Sequence, residues 1–237
     1  MTAPLVASGL SRSFGDETAV DGVDLEVRTG EIHALVGLNG AGKTTLMRLL
    51  LGMLKPDSGR ATVLGTEAHT APATIWKSVG HLTETPFAYP ELTVLENVTA
   101  SALLRGVDSP RTAAEEILDR FELAHWSRRR AGTLSLGNRQ RLGLASCLVH
   151  RPSILVLDEP ANALDPAGVV FVRDLLKDHA AAGGSVFVSS HHLDQLARVA
   201  YRITVMHRGR VVGALDPSGV DLEQSFFDLV YSLEKTQ

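Results

Sequence analysis

The stretch GLNGAGKTT, residues 37–45, decides how this chain is read. It fits the spacing G-x-x-x-x-G-K-[ST], with Gly37, Gly42, Lys43 and Thr44 in the fixed positions. Its setting fits as well. EIHALVG (residues 31–37) reads as a buried strand before it, and KTTLMRLLLGML (residues 43–54) carries leucines at helical spacing after it. Glycines let backbone N–H groups turn inward around phosphate oxygens, where side chains would stand in the way. A helix starting near Lys43 adds the positive end of its dipole. In this pattern Gly37, Asn39, Gly40, Ala41, Gly42 and Thr45 build the cradle. Lys43 reaches the β- and γ-phosphates, and the Thr44 hydroxyl ligates Mg²⁺. The ligand expected is a nucleoside triphosphate.

Outward from the loop, strand and helix patterns alternate, which indicates an α/β fold. PLVASGL and AVDGVDLEVRTGE read as small antiparallel strands near the N-terminus, and GRATVLG as another. SILVLDEP (residues 153–160) is the near-continuous apolar run of a strand buried on both faces. AGVVFVRDLLKDHAAAGG is a helix with a glycine stop, SVFVSSHH a further buried strand, and RITVMHRGRVVGAL two strands around a turn at Arg208 and Gly209. Between them, residues 85–148 turn helical. The expected architecture is a P-loop NTPase (RecA-like) core sheet with an N-terminal antiparallel β subdomain. Residues 1–84 and 149–237 would form that ATP-binding core, and residues 85–148 an inserted α-helical subdomain.

The strand ending in Asp158 and Glu159 supplies the second piece of chemistry. Side chains alternate along a regular strand, so the two carboxylates take different directions and different tasks. At the carboxyl edge of an open α/β sheet, Asp158 would hold Mg²⁺, largely through water, and Glu159 would polarise an attacking water. His191 leaves its own apolar strand at the same edge, placed to hydrogen-bond a γ-phosphate and that water. The neighbouring His192 is expected to point elsewhere. His33, inside its strand, is expected to be a packing residue.

Bulk composition narrows the classes. At 237 residues, 44% hydrophobic and 21% charged, the chain can bury a substantial core. A formal charge of −4 gives no overall attraction to nucleic acid or acidic lipid, and no nucleic-acid partner is expected. The lone cysteine, Cys147, excludes an internal disulfide framework and suits a reducing compartment. No basic-then-apolar leader is visible and no apolar run approaches a membrane span. The Arg128–Arg130 run is expected to be a solvated face.

LSLGNRQR, residues 134–141, is a second candidate anion grip. A helix beginning near residue 136 would carry Leu142, Ala145, Leu148 and Val149 as its apolar stripe, with Ser135 at the N-cap. Capping alone would explain the serine, and contributes about 1 kcal/mol.

Taken together, residues 37–45, 134–141, 154–159, 163–165 and His191 stand in the order and spacing of the ATP-binding cassette family, and the chain resembles that family along nearly its whole length. The resemblance implies two cassettes packed head to tail, as a homodimer or with a paired subunit. Ser135 and Gly137 of one would reach the γ-phosphate held by the other, leaving a lone monomer with a half-built site. It also implies adenine stacking on Phe14, coupling across the dimer by Asp165 in ANALDP, and Glu84 in the loop joining core to helical subdomain, where it would bind Mg²⁺ or water. ATP and Mg²⁺ are the implied cofactors. A separate transmembrane permease is the implied partner, holding the cassette indirectly at the cytoplasmic face of the cell membrane and driven by ATP hydrolysis. The pattern looks most like cassettes of bacterial drug, antibiotic or lipid exporters.

Four positions depart from the family pattern: Leu136 for a glycine, Asn138 for a glutamine, Glu84 for a glutamine, and Tyr201 where aspartate is common. Nothing physical accounts for Tyr201. Repair-type cassettes carry a long coiled coil that is missing here, translation-type cassettes pair two units in one chain, and no guanine-reading N-K-x-D follows the acid pair. Transport is therefore the expected role.

Overall fold

The computed structural model describes residues 3–83, 88–191 and 193–232. Two sheets organise them. Strands β1 (Leu5–Phe14), β2 (Glu17–Val27), β4 (Ser58–Val63) and β5 (Thr66–Glu67) form an antiparallel sheet in the order β2-β1-β4-β5. The second sheet takes β3 (Ile32–Val36), β6 (Val79–Leu82), β7 (Ile154–Asp158), β8 (Ser185–Ser190), β9 (Arg202–His207) and β10 (Arg210–Leu215) in the order β10-β9-β3-β8-β7-β6. All its pairs are parallel except β10 with β9.

Period-2 alternation explains why the central strands read as unbroken apolar runs. Ile32, Ala34 and Val36 of β3 join one core with Leu155, Leu157, Val186 and Val188, while Leu35, Ile154, Val156 and Phe187 face a second core. The second core lies against the antiparallel sheet and α1 (Lys43–Leu50), which supplies Leu46, Met47, Leu49 and Leu50. The first core continues into α2 (Val94–Leu104), α3 (Pro110–Arg120), α4 (Leu136–Leu148) and α5 (Pro166–Ala181). The short α6 (Leu193–Ala197) and α7 (Leu222–Ser232) complete the described helices. The start of α2 is fixed by a reciprocal cap, Thr93 receiving the Glu96 N–H and the Glu96 carboxylate receiving that of Thr93.

The leucine run after the phosphate loop reads as a helix to residue 54, but α1 ends at Leu50. Gly52 explains the difference. It takes a left-handed φ of 65°, and a Cβ there would lie 2.3 Å from the Ala68 carbonyl oxygen, so the chain must turn against that strand connection. Leu51 is buried by the turn rather than by the helix.

Because β3, β7 and β8 run parallel, their carboxyl ends share one edge. That edge carries the start of the glycine loop, the acid pair and His191 together.

Candidate nucleotide site

The loop after β3 is wedged between β2 and β9. A Cβ on Gly37 would sit 2.3 Å from the Met206 carbonyl oxygen, and one on Gly42 would sit 2.2 Å from that of Ala19. Gly42 also has a φ of 101°, which side-chain-bearing residues rarely adopt. Both glycines are thus required by close backbone approach. No side chain caps α1, which leaves its first N–H groups for another acceptor.

Lys43 is buried, and its ammonium donates to the carbonyls of Gly37 at 2.7 Å and Leu38 at 3.3 Å. Burial pushes its pKa below the ordinary lysine value, with the charges of Glu159 and Asp158 pulling the other way. The Thr44 hydroxyl donates to Asp158 Oδ2 at 2.5 Å, and the Ser189 hydroxyl donates to Oδ1 of the same carboxylate. Asp158 is buried. A hydroxyl and a carboxylate meeting this closely form an all-oxygen donor pair, the chemistry that a hard cation such as Mg²⁺ takes.

Glu159 does not continue the strand. Its φ is 50°, a left-handed conformation that re-aims the chain immediately after Asp158. Its N–H donates to the Ser189 carbonyl at 3.2 Å and hydroxyl oxygen at 3.1 Å. Its Oε2 lies 2.9 Å from Nδ1 of His191.

Phe14, Asn39, Gly40, Ala41, Gly42, Lys43, Thr44, Thr45, Asp158 and Glu159 line one cavity of about 580 Å³, together with Leu136 and Gln140. Phe14 is half-exposed at its mouth, under the Arg12 guanidinium at 5.0 Å from the ring centre. His191 and Gly37 border an adjoining cavity beside α7. Ser135 and Gly137 do not line the loop's cavity. Ser135 is exposed and accepts the Asn138 N–H at 3.3 Å, the cap expected of it. Asp165 caps α5, accepting the Gly168 N–H at 2.8 Å, with Arg141 at 3.6 Å. Glu84 and His192 lie outside the described residues. His33 is a buried packing histidine held by Thr204 and the Glu26 carbonyl, and burial lowers its pKa to about 4.

Sequence reasoning missed three contributors: Ser189, Gln140 and Arg141. Each has a faint signal. Ser189 is a polar residue next to the end of a strand whose centre is apolar, and Gln140 and Arg141 follow the LSLGN stretch on α4. Gln140 is buried and donates to the carbonyls of Glu159 and Pro160. Arg141 bridges Glu122 at 2.6 Å and approaches Asp165.

A family model described as ABC transporter matches residues 20–162, which span the glycine loop, the signature and the acid pair. The chain belongs to the ATP-binding cassette family. It is an ATP-binding and ATP-hydrolysing subunit of an ABC transporter. This cassette is 34% identical over 90% of its length to the bacitracin transport ATP-binding protein BcrA of Bacillus licheniformis, of which it covers 69%. It is 36% identical over 88% of its length to the daunorubicin resistance ATP-binding protein DrrA3 of Streptomyces coeruleorubidus, covering 66% of that protein. The cassette therefore spans about two thirds of the length of each. Among solved structures it superposes on a dimeric bacterial ABC transporter cassette with a TM-score of 0.83 at 25% identity, over 91% of this chain and 99% of the other.

Proposed function

We propose that this cassette works as a head-to-tail pair that drives a separate membrane permease, exporting a drug- or antibiotic-like compound. The observation that carries the reading is the split between its two anion grips. The glycine loop, the acid pair and Phe14 line one cavity; Leu136 joins that lining, but Ser135 and Gly137, on the N-terminus of α4, do not. A second chain, facing the first, supplies the missing half, and the likeness to a dimeric cassette supports that pairing.

In this reading Phe14 stacks on adenine, the loop and Lys43 hold the phosphates, and Thr44 with Asp158 hold Mg²⁺, which neutralises charge on the transferred phosphoryl oxygens. Glu84 is proposed as a further oxygen donor to that ion. Glu159 orients water at the γ-phosphate, and His191, beside it, keeps both in register. Ser135 and Gly137 of the second chain close over the same phosphate. Asp165, tied to Arg141, carries the state of one site to the other.

Residues 85–148 are proposed as a lever arm that passes closure and opening to the permease. Among the described residues no helix is long and apolar enough to cross a membrane. In this scheme the permease is a separate polypeptide, and the cassette sits at the inner membrane face through it. Export of a drug- or antibiotic-like cargo is supported by relatives named for bacitracin transport and daunorubicin resistance.

The test is Glu159→Gln. It is expected to retain ATP binding, to lose turnover by more than about a hundredfold, and to give an ATP-stabilised dimer by light scattering. A variant that stays monomeric at saturating ATP and hydrolyses at the wild-type rate would sink the reading.

A further inference from the structure

The peptide that carries Glu159 is held in an unfavourable conformation by two separate elements. A left-handed φ at a residue with a side chain costs on the order of 1 kcal/mol and persists only when its surroundings impose it. On the N–H side, Ser189 of β8 accepts the Glu159 hydrogen bond. On the carbonyl side, the Asn162 N–H donates at 3.0 Å and Gln140 Nε2 at 3.3 Å. The same amide nitrogen donates to the Pro160 carbonyl at 2.9 Å. Gln140 is only 4% exposed, and without it the Glu159 carbonyl keeps the Asn162 N–H alone.

Gln140 belongs to α4, the helix whose N-cap is Ser135. Five residues at the helical rise separate them by about 7.5 Å. A single rigid helix therefore ends in the grip for the second chain's phosphate and, little more than one turn down, fastens the backbone of its own chain's Glu159. The next residue, Arg141, binds Glu122 and reaches Asp165, which ties this turn of α4 to its surroundings.

We infer that Gln140 is a positioning residue: it ties the helix that begins at Ser135 to the placement of Glu159 in the same chain. This rests on the reading of Glu159 and Ser135 given under the proposed function. Gln140 holds the Glu159–Pro160 peptide already in the single chain, so the carboxylate is in place for its water when α4 is seated on the opposite triphosphate. Without the Gln140 donor the peptide loses that anchor and hydrolysis is slow.

Gln140→Met keeps the length of the side chain and removes the donor. Purified with its full chain, it is expected to lose about tenfold in kcat. Its KM for ATP should stay near wild type, and its thermal midpoint should fall by no more than a few degrees. In a Glu159→Gln background the Gln140→Met change should leave the ATP-stabilised dimer intact. Gln140→Asn, with its donor drawn back by one methylene, serves as the second variant if the methionine chain aggregates, and should show the same split.

An unchanged kcat overturns the inference. So does a parallel loss of kcat, nucleotide affinity and thermal midpoint, which would make Gln140 a stabilising residue only. Aggregation of both variants has the same meaning. Failure of the underlying reading looks different: Glu159→Gln would then hydrolyse ATP whatever stands at residue 140.

Discussion

The two helix N-termini of this cassette proposed to grip an anion, α1 after Gly42 and α4 after Ser135, are built on opposite plans. The first is packed into the molecule. Gly37 and Gly42 touch the backbones of β9 and β2, Lys43 is buried, and no side chain occupies the cap. The second is open. Ser135 and Leu136 are exposed, and the serine satisfies one of its own helix's N–H groups. A helix start left uncapped inside a preformed cavity costs stability unless an anion completes it. A start that caps itself on the surface waits without such a cost. In the proposed function this difference is a division of labour: α1 binds nucleotide in the isolated chain, and α4 acts only when another surface is presented to it.

The largest effects expected separate these plans. Lys43→Ala removes the buried ammonium from the loop and should weaken nucleotide binding by the isolated chain as well as abolishing turnover, each by about a hundredfold or more. Ser135→Arg should abolish turnover to the same extent while leaving the isolated chain's affinity for a fluorescent ATP analogue within about twofold. Mixing the two variants places both lesions in one composite site and leaves the other whole, so ATPase activity should reappear on mixing. No recovery, together with weakened binding in Ser135→Arg, would mean that α4 serves its own chain's loop.

That contrast was partly legible in the residues themselves. GLNGAGKTT declared its function because its glycines answer a local geometric demand, and the paired strand and helix around it are both periodic. Asp158 and His191 were legible as polar residues ending apolar strands, since parallel strands must deliver their carboxyl ends to one edge. Ser135 was legible as a cap. The hold of Gln140 on Glu159 was not, because it joins residues 19 apart across a tertiary contact and leaves no periodic trace. Nor was the left-handed turn at Glu159, which alternation alone treats as one more strand position. The early end of α1 was hidden for a related reason: Gly52 turns to avoid Ala68, a neighbour that only the folded chain brings close.

Alanine at the glycines sharpens the comparison at a smaller scale. Gly42→Ala forces a Cβ to 2.2 Å from the Ala19 carbonyl oxygen and 2.9 Å from the Met206 side chain, at a φ of 101°. The backbone must shift, costing about 2–4 kcal/mol and distorting the loop, so both the thermal midpoint and nucleotide affinity should fall. Gly137→Ala meets only the Ala163 carbonyl oxygen at 3.0 Å, within a helix that otherwise gains from alanine. Its stability should stay within about 1 kcal/mol of wild type, measured by denaturant titration. Equal losses at the two glycines would erase the distinction between a packed and an open helix start.

The smallest effect concerns the caps, and it separates two roles that one hydroxyl plays. Ser135 accepts the Asn138 N–H at 3.3 Å, and Asp165 accepts the Gly168 N–H at 2.8 Å. Replacing either by alanine removes a comparable interaction, about 1 kcal/mol, or roughly 2–4 °C in a chain of this size. By thermal scan the two single variants should therefore look alike, with Asp165→Ala at least as destabilised because its bond is shorter and its Arg141 contact is lost too. Turnover should divide them from the stability reading. In the proposed function Ser135→Ala also loses a donor to the opposite γ-phosphate, so its ATPase rate should drop by about tenfold or more while its midpoint moves only a few degrees. If the rate falls no further than that small stability change accounts for, Ser135 is a cap and nothing else, and α4 has no second task.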